Sequence, residues 1–196
     1  MNSSRRNFLA AGLALPAAAS ATRLPAPGPA AASNLALQDS GLRFRVLGKT
    51  GLKVTRVAFG CMITSDASVI ERAADMGINY FDTARSYQGG QNERMVGAAL
   101  KSRRKSLVLS TKTGARTGAE ALEHLETSLR ELGTDWVDIW YLHARSSASQ
   151  LTGDLMEAIT KAKKAGKIRF AGVSTHSGQE EIIKAVVQNP LLDVVL

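Results

Sequence analysis

The stretch INYFDTARSYQGGQNERMVGAAL, residues Ile78–Leu100, places an apolar run, a polar break and a second partly apolar run in direct succession. The first run ends at Asp82, just before the chain turns polar and glycine-rich around Tyr87. A short β-rich run, a break and an amphipathic run are typical of one βα unit. From Val54 onward the same succession recurs roughly every thirty residues, which predicts a series of parallel βα units.

The candidate strands are six short β-rich runs, namely VTRVAFG (54–60), INYFDT (78–83), SLVLSTK (106–112), WVDIWYLH (136–143), IRFAGVSTH (168–176) and LLDVVL (191–196). Apolar residues between them keep helical spacing, as in Leu122, Leu125, Leu129 and Leu132, or in Leu155, Ile159 and Ala162. Gly133 and Gly166 stand where helix C-caps are expected.

Two architectures are built from such units, the open doubly wound sheet and the closed eight-stranded barrel. An open sheet that binds a dinucleotide has a G-x-G-x-x-G turn after a strand, and no candidate strand here is followed by one. Polar residues instead follow the candidate strands, namely Asp82, Lys112, His143, Ser174 and His176. In a barrel these strand ends meet on one face, where the active sites of that fold lie. We therefore predict an α/β fold of the (β/α)8 TIM-barrel type.

A β-hairpin is predicted before the barrel, because LRFRVLGKTGLKVTRVAFG (42–60) alternates two extended runs around a turn at Gly48–Gly51. The size of the chain, 196 residues with 44% hydrophobic content, is typical of one globular domain. The net charge is +8, but the basic residues are dispersed and only 5% of residues are aromatic, so we expect no nucleic-acid partner. The densest basic runs, Lys101–Ser106 and Lys161–Lys167, each follow a helical pattern and are interpreted as solvated helix ends.

The first forty residues have a different composition. Arg5 and Arg6 precede a short apolar stretch, residues 8–19, that is too brief to span a bilayer. The pattern SRRNFL at 4–9 resembles the twin-arginine export signal of bacteria, and ASA at 19–21 offers a small-residue cleavage site. We therefore predict a signal peptide over residues 1–21 that engages the twin-arginine export machinery and directs the protein to the periplasm. An Ala/Pro-rich linker is predicted over 22–40 and the barrel over 41–196.

Several motifs in series resemble the aldo-keto reductases, namely FDTARSY (81–87), NERMVGAAL (92–100), LSTK (109–112), SLRELGTDWVDIWYLH (128–143) and FAGVSTH (170–176). RVLGKTGLKVTRVAFG (45–60) is similar to the opening hairpin and first strand of the bacterial and potassium-channel β-subunit-like branches of that family. The resemblance extends from about Leu42 to Leu196. It implies NADP(H) as cofactor, an aldehyde or ketone as small-molecule substrate, and hydride transfer between them.

By matching position, the resemblance implies a catalytic tetrad of Asp82, Tyr87, Lys112 and His143. A carbonyl that accepts hydride develops negative charge on its oxygen, so a proton donor must lie within hydrogen-bonding reach, and the resemblance assigns that role to Tyr87. An ammonium beside a phenol favours the phenolate form, which is the role implied for Lys112. Asp82 then holds the lysine, and His143 orients the substrate and stabilises the oxyanion.

The resemblance also implies contacts to the cofactor. Gly60 and Cys61 end the first strand, where family members pass backbone close to the nicotinamide, although core packing explains these residues equally well. Ser174 matches the residue that binds the nicotinamide carboxamide, and Thr175 stands where the family usually has asparagine. Asp82 is counted with these cofactor contacts as well as with the tetrad.

Two other functions stay open at this point. A metal-dependent barrel hydrolase would use Asp82, His143 and His176, and a non-catalytic barrel, either a degenerate fragment or a binding subunit, would use none of them. LLDVVL is the sixth candidate strand, whereas a complete barrel takes eight βα units and about 250 residues. We therefore expect a C-terminally truncated barrel of about six units. In the family, the loops after the seventh and eighth strands hold most of the cofactor's phosphates, so these contacts are expected to be missing.

Overall fold

The computed structural model describes residues 41–196. The predicted signal peptide (1–21) and linker (22–40) lie outside these residues and stay predictions. In the described part, the strands are β1 Phe44–Val46, β2 Lys53–Thr55, β3 Phe59–Gly60, β4 Tyr80–Asp82, β5 Val108–Thr113, β6 Val137–Leu142, β7 Ile168–Val173 and β8 Val194–Val195. The α-helices there are α1 Ala67–Asp75, α2 Gln91–Leu100, α3 Gly118–Leu132, α4 Gly153–Lys164 and α5 Gln179–Gln188. Short 3-10 helices cover Gly48–Thr50, Tyr87–Gly90, Lys101–Ser106 and Ala148–Gln150.

Strands β3 to β8 form a parallel sheet in chain order, six strands within residues 41–196. Sequential parallel strands with helical crossovers are the wall of a (β/α)8 barrel, so the predicted incomplete TIM barrel is confirmed. Before it, β1 and β2 pair antiparallel with Arg45 opposite Val54. Their connection includes Gly51 at φ 70°, so the predicted hairpin and its turn are also confirmed.

Apolar side chains pack on both faces of the sheet, since successive strand residues point to opposite faces. The outer face packs against the helices, for example through Phe81, Leu109 and Trp140. The inner face holds a second cluster, and its buried members are Leu52, Val54, Tyr80, Val108, Ile139, Tyr141 and Val194. The hairpin residues Leu52 and Val54 belong to this inner cluster, so the hairpin covers the inner face of the sheet.

Helix ends follow the predicted signals. Thr117 caps α3 by accepting a hydrogen bond from the backbone N–H of Glu120, and Gly133 ends that helix at φ 63°. Gly166 follows α4 at φ 71°, so both predicted C-cap glycines are confirmed. Within residues 41–196, no helix has the length and apolar content needed to cross a bilayer.

One prediction about local structure is wrong. The run 54–60 is not one strand, because β2 ends at Thr55 and β3 begins at Phe59. The N–H of Arg56 donates to Arg43 O at 2.8 Å, so Arg56 still pairs within the hairpin, and this pairing separates the two strands. The basic run Lys101–Ser106 lies at the end of α2, as predicted, and forms a 3-10 helix in which no residue is buried.

Candidate active site

The strand register brings the predicted tetrad to one face of the sheet. Asp82 on β4 pairs with Ser110 on β5, and Lys112 on β5 pairs with Tyr141 on β6. Because side chains alternate along a strand, Asp82, Ser110 and Lys112 point to the inner face together with Tyr141. His143 follows β6 two residues after Tyr141, so the same alternation places it on the inner face. The carboxyl ends of neighbouring parallel strands therefore gather these side chains at one end of the sheet.

Lys112 is the centre of the site, and it is 2% exposed. Its Nζ donates hydrogen bonds to the Asp82 carboxylate, to Thr83 O at 2.9 Å and to the hydroxyl of Tyr87 at 3.2 Å. An ammonium has three protons to donate, and this geometry gives each of them an acceptor. A buried cation needs a paired anion and satisfied hydrogen bonds, and Asp82 provides the anion.

Tyr87 begins the 3-10 helix that follows β4, and its side chain is half-buried. Its ring makes an edge-on contact with the ring of His143, with centroids 5.7 Å apart and planes at 79°. The next residue, Gln88, has a left-handed backbone at φ 51° and donates from Nε2 to Thr64 O at 2.6 Å. This side-chain hydrogen bond ties the Tyr87 loop to the loop after β3. The phenol thus lies beside both the ammonium and the imidazole.

His143 is partly buried at the end of β6, where its backbone N–H donates to Thr113 O at 2.8 Å. Burial lowers the pKa of its imidazole, and the positive charge of Lys112 lowers that pKa further. The neutral imidazole therefore predominates at neutral pH. A neutral imidazole has one N–H to donate and one nitrogen that accepts.

Cys61 is fully buried in the outer core, so its thiol packs with apolar side chains. Burial raises the pKa of this thiol to about 12, and the charge of Asp82 acts in the same direction. Its neighbour Gly60 is exposed, and a Cβ added there would meet no atom within 4 Å. Of the two predicted contacts at the end of β3, Gly60 thus presents bare backbone to open space, whereas the side chain of Cys61, the next residue, faces the core.

Ser174 and Thr175 follow β7 and differ in what their hydroxyls do. Ser174 is buried and accepts a hydrogen bond from the N–H of Ala144 at 2.9 Å. Among the described residues nothing receives its hydroxyl proton, which leaves that proton available to a ligand. Thr175 instead donates its hydroxyl to Ser177 O at 2.5 Å, within its own turn.

With this geometry in view, comparison with known proteins decides the family. The model of the Aldo/keto reductase family matches residues 64–195. The chain belongs to the aldo/keto reductase family. The uncharacterized oxidoreductase YqkF of Bacillus subtilis is 34% identical over 164 residues, which cover 75% of this chain and 53% of that protein. The aldo-keto reductase yakc [NADP(+)] of Schizosaccharomyces pombe is 32% identical over 145 residues, 62% of this chain and 42% of the relative.

A solved structure has the same fold. The holo form of the aldo-keto reductase AKR11C1 from Bacillus halodurans superposes with a TM-score of 0.72 at 32% identity, covering 79% of this chain and 56% of that one. The chain thus spans about half the length of these relatives.

Around this aldo/keto reductase site lie buried polar residues whose roles the sequence did not reveal. The sequence explains Asn92 and Glu93 only as residues of a helix's first turn, yet both are fully buried. Asn92 accepts from the Thr83 hydroxyl at 2.6 Å and donates to Cys61 O at 2.8 Å, which links the loops after β3 and β4. Glu93 pairs with Arg85 from the Tyr87 loop. The only sequence signal for these contacts was the NE pair at the start of NERMVGAAL, because their partners lie far away in the chain.

The metal-hydrolase alternative finds no support in this aldo/keto reductase fold. Among residues 41–196, no group of three His, Cys, Asp or Glu side chains is arranged to hold a metal ion. His176 is exposed in the loop after β7, and the family assignment points to other chemistry.

Proposed function

We propose that the protein is an NADP(H)-dependent oxidoreductase that reduces an aldehyde or ketone, with Tyr87 as the proton donor. The observation that supports this most strongly is the placement of the Tyr87 hydroxyl 3.2 Å from the buried ammonium of Lys112. When the phenol gives its proton to a carbonyl oxygen, the phenolate that remains is stabilised by this neighbouring cation.

The other two tetrad residues support that step. Asp82 and Thr83 O occupy two of the three donor positions of Lys112, which directs the third at the Tyr87 hydroxyl. The neutral imidazole of His143 lies against the Tyr87 ring and can donate an N–H to the same carbonyl oxygen. Two donors then converge on the atom where negative charge develops.

The residues present fit the nicotinamide end of the cofactor. Gly60 offers exposed backbone that no side chain obstructs, and Ser174 has a hydroxyl proton available for a carboxamide oxygen. NADPH, when bound, supplies the hydride. The choice of NADP rather than NAD is supported by the fission-yeast relative, whose name includes NADP(+).

The test is consumption of NADPH by the purified full chain in the presence of a panel of aldehydes and ketones. We expect consumption that depends on the carbonyl compound and is lost in Tyr87→Phe, which removes one oxygen and keeps the ring. A Tyr87→Phe protein that reduces aldehydes at the wild-type rate would contradict the proposal.

We also propose export to the periplasm by the twin-arginine route, on the basis of the SRRNFL pattern at residues 4–9. Replacing both Arg5 and Arg6 with lysine preserves the positive charge but removes the pattern. The double variant should accumulate in the cytoplasmic fraction of a bacterial host while the unchanged chain reaches the periplasm. Equal periplasmic amounts of the two would contradict this route.

A further inference from the structure

Beside Asp82, the inner face of the sheet contains buried hydroxyl groups where a barrel interior usually has bulky branched residues. Ser110 is 0% exposed, Tyr80 7% and Tyr141 1%. They lie on the neighbouring strands β4, β5 and β6; Ser110 is in register with Asp82, and Tyr80 and Tyr141 belong to the inner cluster that includes the hairpin residues. We refer to these three residues as the hydroxyl column.

Two hydrogen bonds involve the column. The Ser110 hydroxyl lies 2.5 Å from Oδ1 of Asp82, while the other carboxylate oxygen receives Lys112. The Tyr80 hydroxyl lies 3.0 Å from that of Tyr141, and either of them can donate.

The chemistry of the carboxylate fixes the direction of the first of these bonds. A carboxylate only accepts, so the single Ser110 proton goes to Asp82. With its proton given to Asp82, the Ser110 hydroxyl neutralises part of the carboxylate charge from the side opposite Lys112.

The surroundings keep the column dry and protonated. Apolar side chains of the inner cluster, including Val108 and Ile139, enclose it. On β7, Gly172 leaves room for the Tyr141 ring, since a Cβ at that glycine would lie 2.6 Å from a ring carbon. Burial raises the pKa of both buried phenols, so they remain donors across the physiological range.

We propose that Ser110 is a positioning residue for the reductase reaction, which holds Asp82 in place and sets how strongly that carboxylate neutralises Lys112. This inference rests on the proposed function of Tyr87. Ser110 draws part of the carboxylate charge away from Lys112. Without that hydrogen bond, Asp82 neutralises the ammonium more completely, and the ammonium stabilises a Tyr87 phenolate less.

Tyrosinate absorbance tests this directly, because the three tyrosines of the full chain are Tyr80, Tyr87 and Tyr141. The tyrosinate step that is absent in Tyr87→Phe is assigned to Tyr87, and its midpoint is the quantity that the test follows. This titration needs no cofactor and no turnover, so it can succeed or fail separately from the proposed function.

In Ser110→Ala we expect the midpoint of that step to move to higher pH by about half a pH unit or more. We expect kcat for NADPH-dependent reduction to fall about tenfold with KM little changed. Ser110→Thr keeps the hydroxyl and should restore both values.

Ser128→Ala is the matched control, because Ser128 is also buried but lies on α3, outside the barrel interior. It should leave the tyrosinate midpoint unchanged. A Ser110→Ala protein whose midpoint and kcat match those of Ser128→Ala would overturn the inference. If Ser110→Ala does not fold, Ser110→Cys decides, because it keeps the size of the side chain and replaces the hydroxyl by a weaker donor: a midpoint equal to that of the wild type would overturn the inference. If the titration shifts as expected while Tyr87→Phe still reduces carbonyls, the proposed function fails and the positioning of Asp82 stands.

Discussion

The two ends of the parallel sheet each hold a carboxylate that is paired with at least one cation. At the carboxyl end, Asp82 pairs with Lys112 on the inner face. At the amino end, Asp138 pairs with Arg104 at 3.1 Å and with Arg169 at 2.7 Å, and it also accepts the backbone N–H of Leu109 at 3.0 Å. The charges are similar at both ends.

What differs is the group that the cation meets next. Lys112 reaches the hydroxyl of Tyr87, which has a proton to give. Arg104 stacks on the ring of Trp136, with its guanidinium carbon 3.6 Å from the ring centroid, and donates to Trp136 O at 2.9 Å. The ion pair at the carboxyl end thus lies beside a group that can give a proton, whereas the one at the amino end lies against an aromatic ring and a backbone carbonyl.

The largest difference between the two ends is expected on replacing their cations. Lys112→Met should lower the rate of NADPH-dependent reduction by about 10³-fold, because the phenolate loses its stabilising charge. The matched variant Arg104→Met should keep kcat near that of the wild type, since its side chain lies at the opposite end. Steady-state kinetics on the folded fractions measures both, and equal losses in the two variants would contradict the division between the ends.

The free energy of unfolding, unlike the reduction rate, should depend strongly on the ion pairs at the amino end. Asp138→Asn removes the charge that compensates the mostly buried Arg104, and we expect the free energy of unfolding to fall by about 3 kcal/mol. Glu157→Gln, which breaks the exposed pair with Lys161 at 3.9 Å, should cost less than about 0.5 kcal/mol. Urea unfolding of the two variants gives these values. A cost for Asp138→Asn no larger than that of Glu157→Gln would show that Asp138 does not brace the fold.

A smaller effect is expected from the pH dependence of stability at the catalytic end. Burial and Lys112 lower the pKa of His143 below its ordinary value of 6.5. The unfolded chain therefore binds a proton on this residue more readily than the folded one, so folding stability falls as pH drops through 6.5. His143→Gln should show a shallower fall in urea unfolding over the same range. Parallel curves for the two proteins would contradict the shift.

The smallest effect concerns Cys61, which lies near the site but belongs to the core. Burial raises the pKa of its thiol to about 12, so the folded protein should not react with a thiol reagent at pH 8. The chain has no other cysteine, so any labelling reports on this residue alone. In denaturant the thiol should react fully. Rapid labelling of the folded chain would show that Cys61 faces the ligand side instead.

The features that follow from short-range patterns could be predicted from the sequence. The βα rhythm, the hairpin turn at Gly48–Gly51 and the cap at Gly133 depend on residues that are neighbours in the chain. Asp82, Lys112 and His143 could be placed at one end of the sheet because a polar residue at the end of a buried strand faces the catalytic end of a barrel, whereas Tyr87 came from the family resemblance alone. The family resemblance then supplied the roles.

The features that depend on distant partners could not be predicted. Arg104 is one cation in a basic run, and only the fold brings it onto Trp136 and Asp138. Ser110 is the second residue of LSTK, and nothing near it in the chain shows that its hydroxyl meets Asp82. Strand register decides such contacts, and a pattern of apolar and polar residues leaves it open which strands are neighbours.

The most direct measurement of the central claim follows the hydride itself. NADPH deuterated at its transferable position is incubated with the full chain and an aldehyde, and the alcohol is analysed by mass spectrometry. Our account predicts deuterium on the carbinol carbon with the wild-type chain and with Arg104→Met, and essentially none with Tyr87→Phe or Lys112→Met. Unlabelled alcohol from the wild type, or full labelling with Tyr87→Phe, would contradict it.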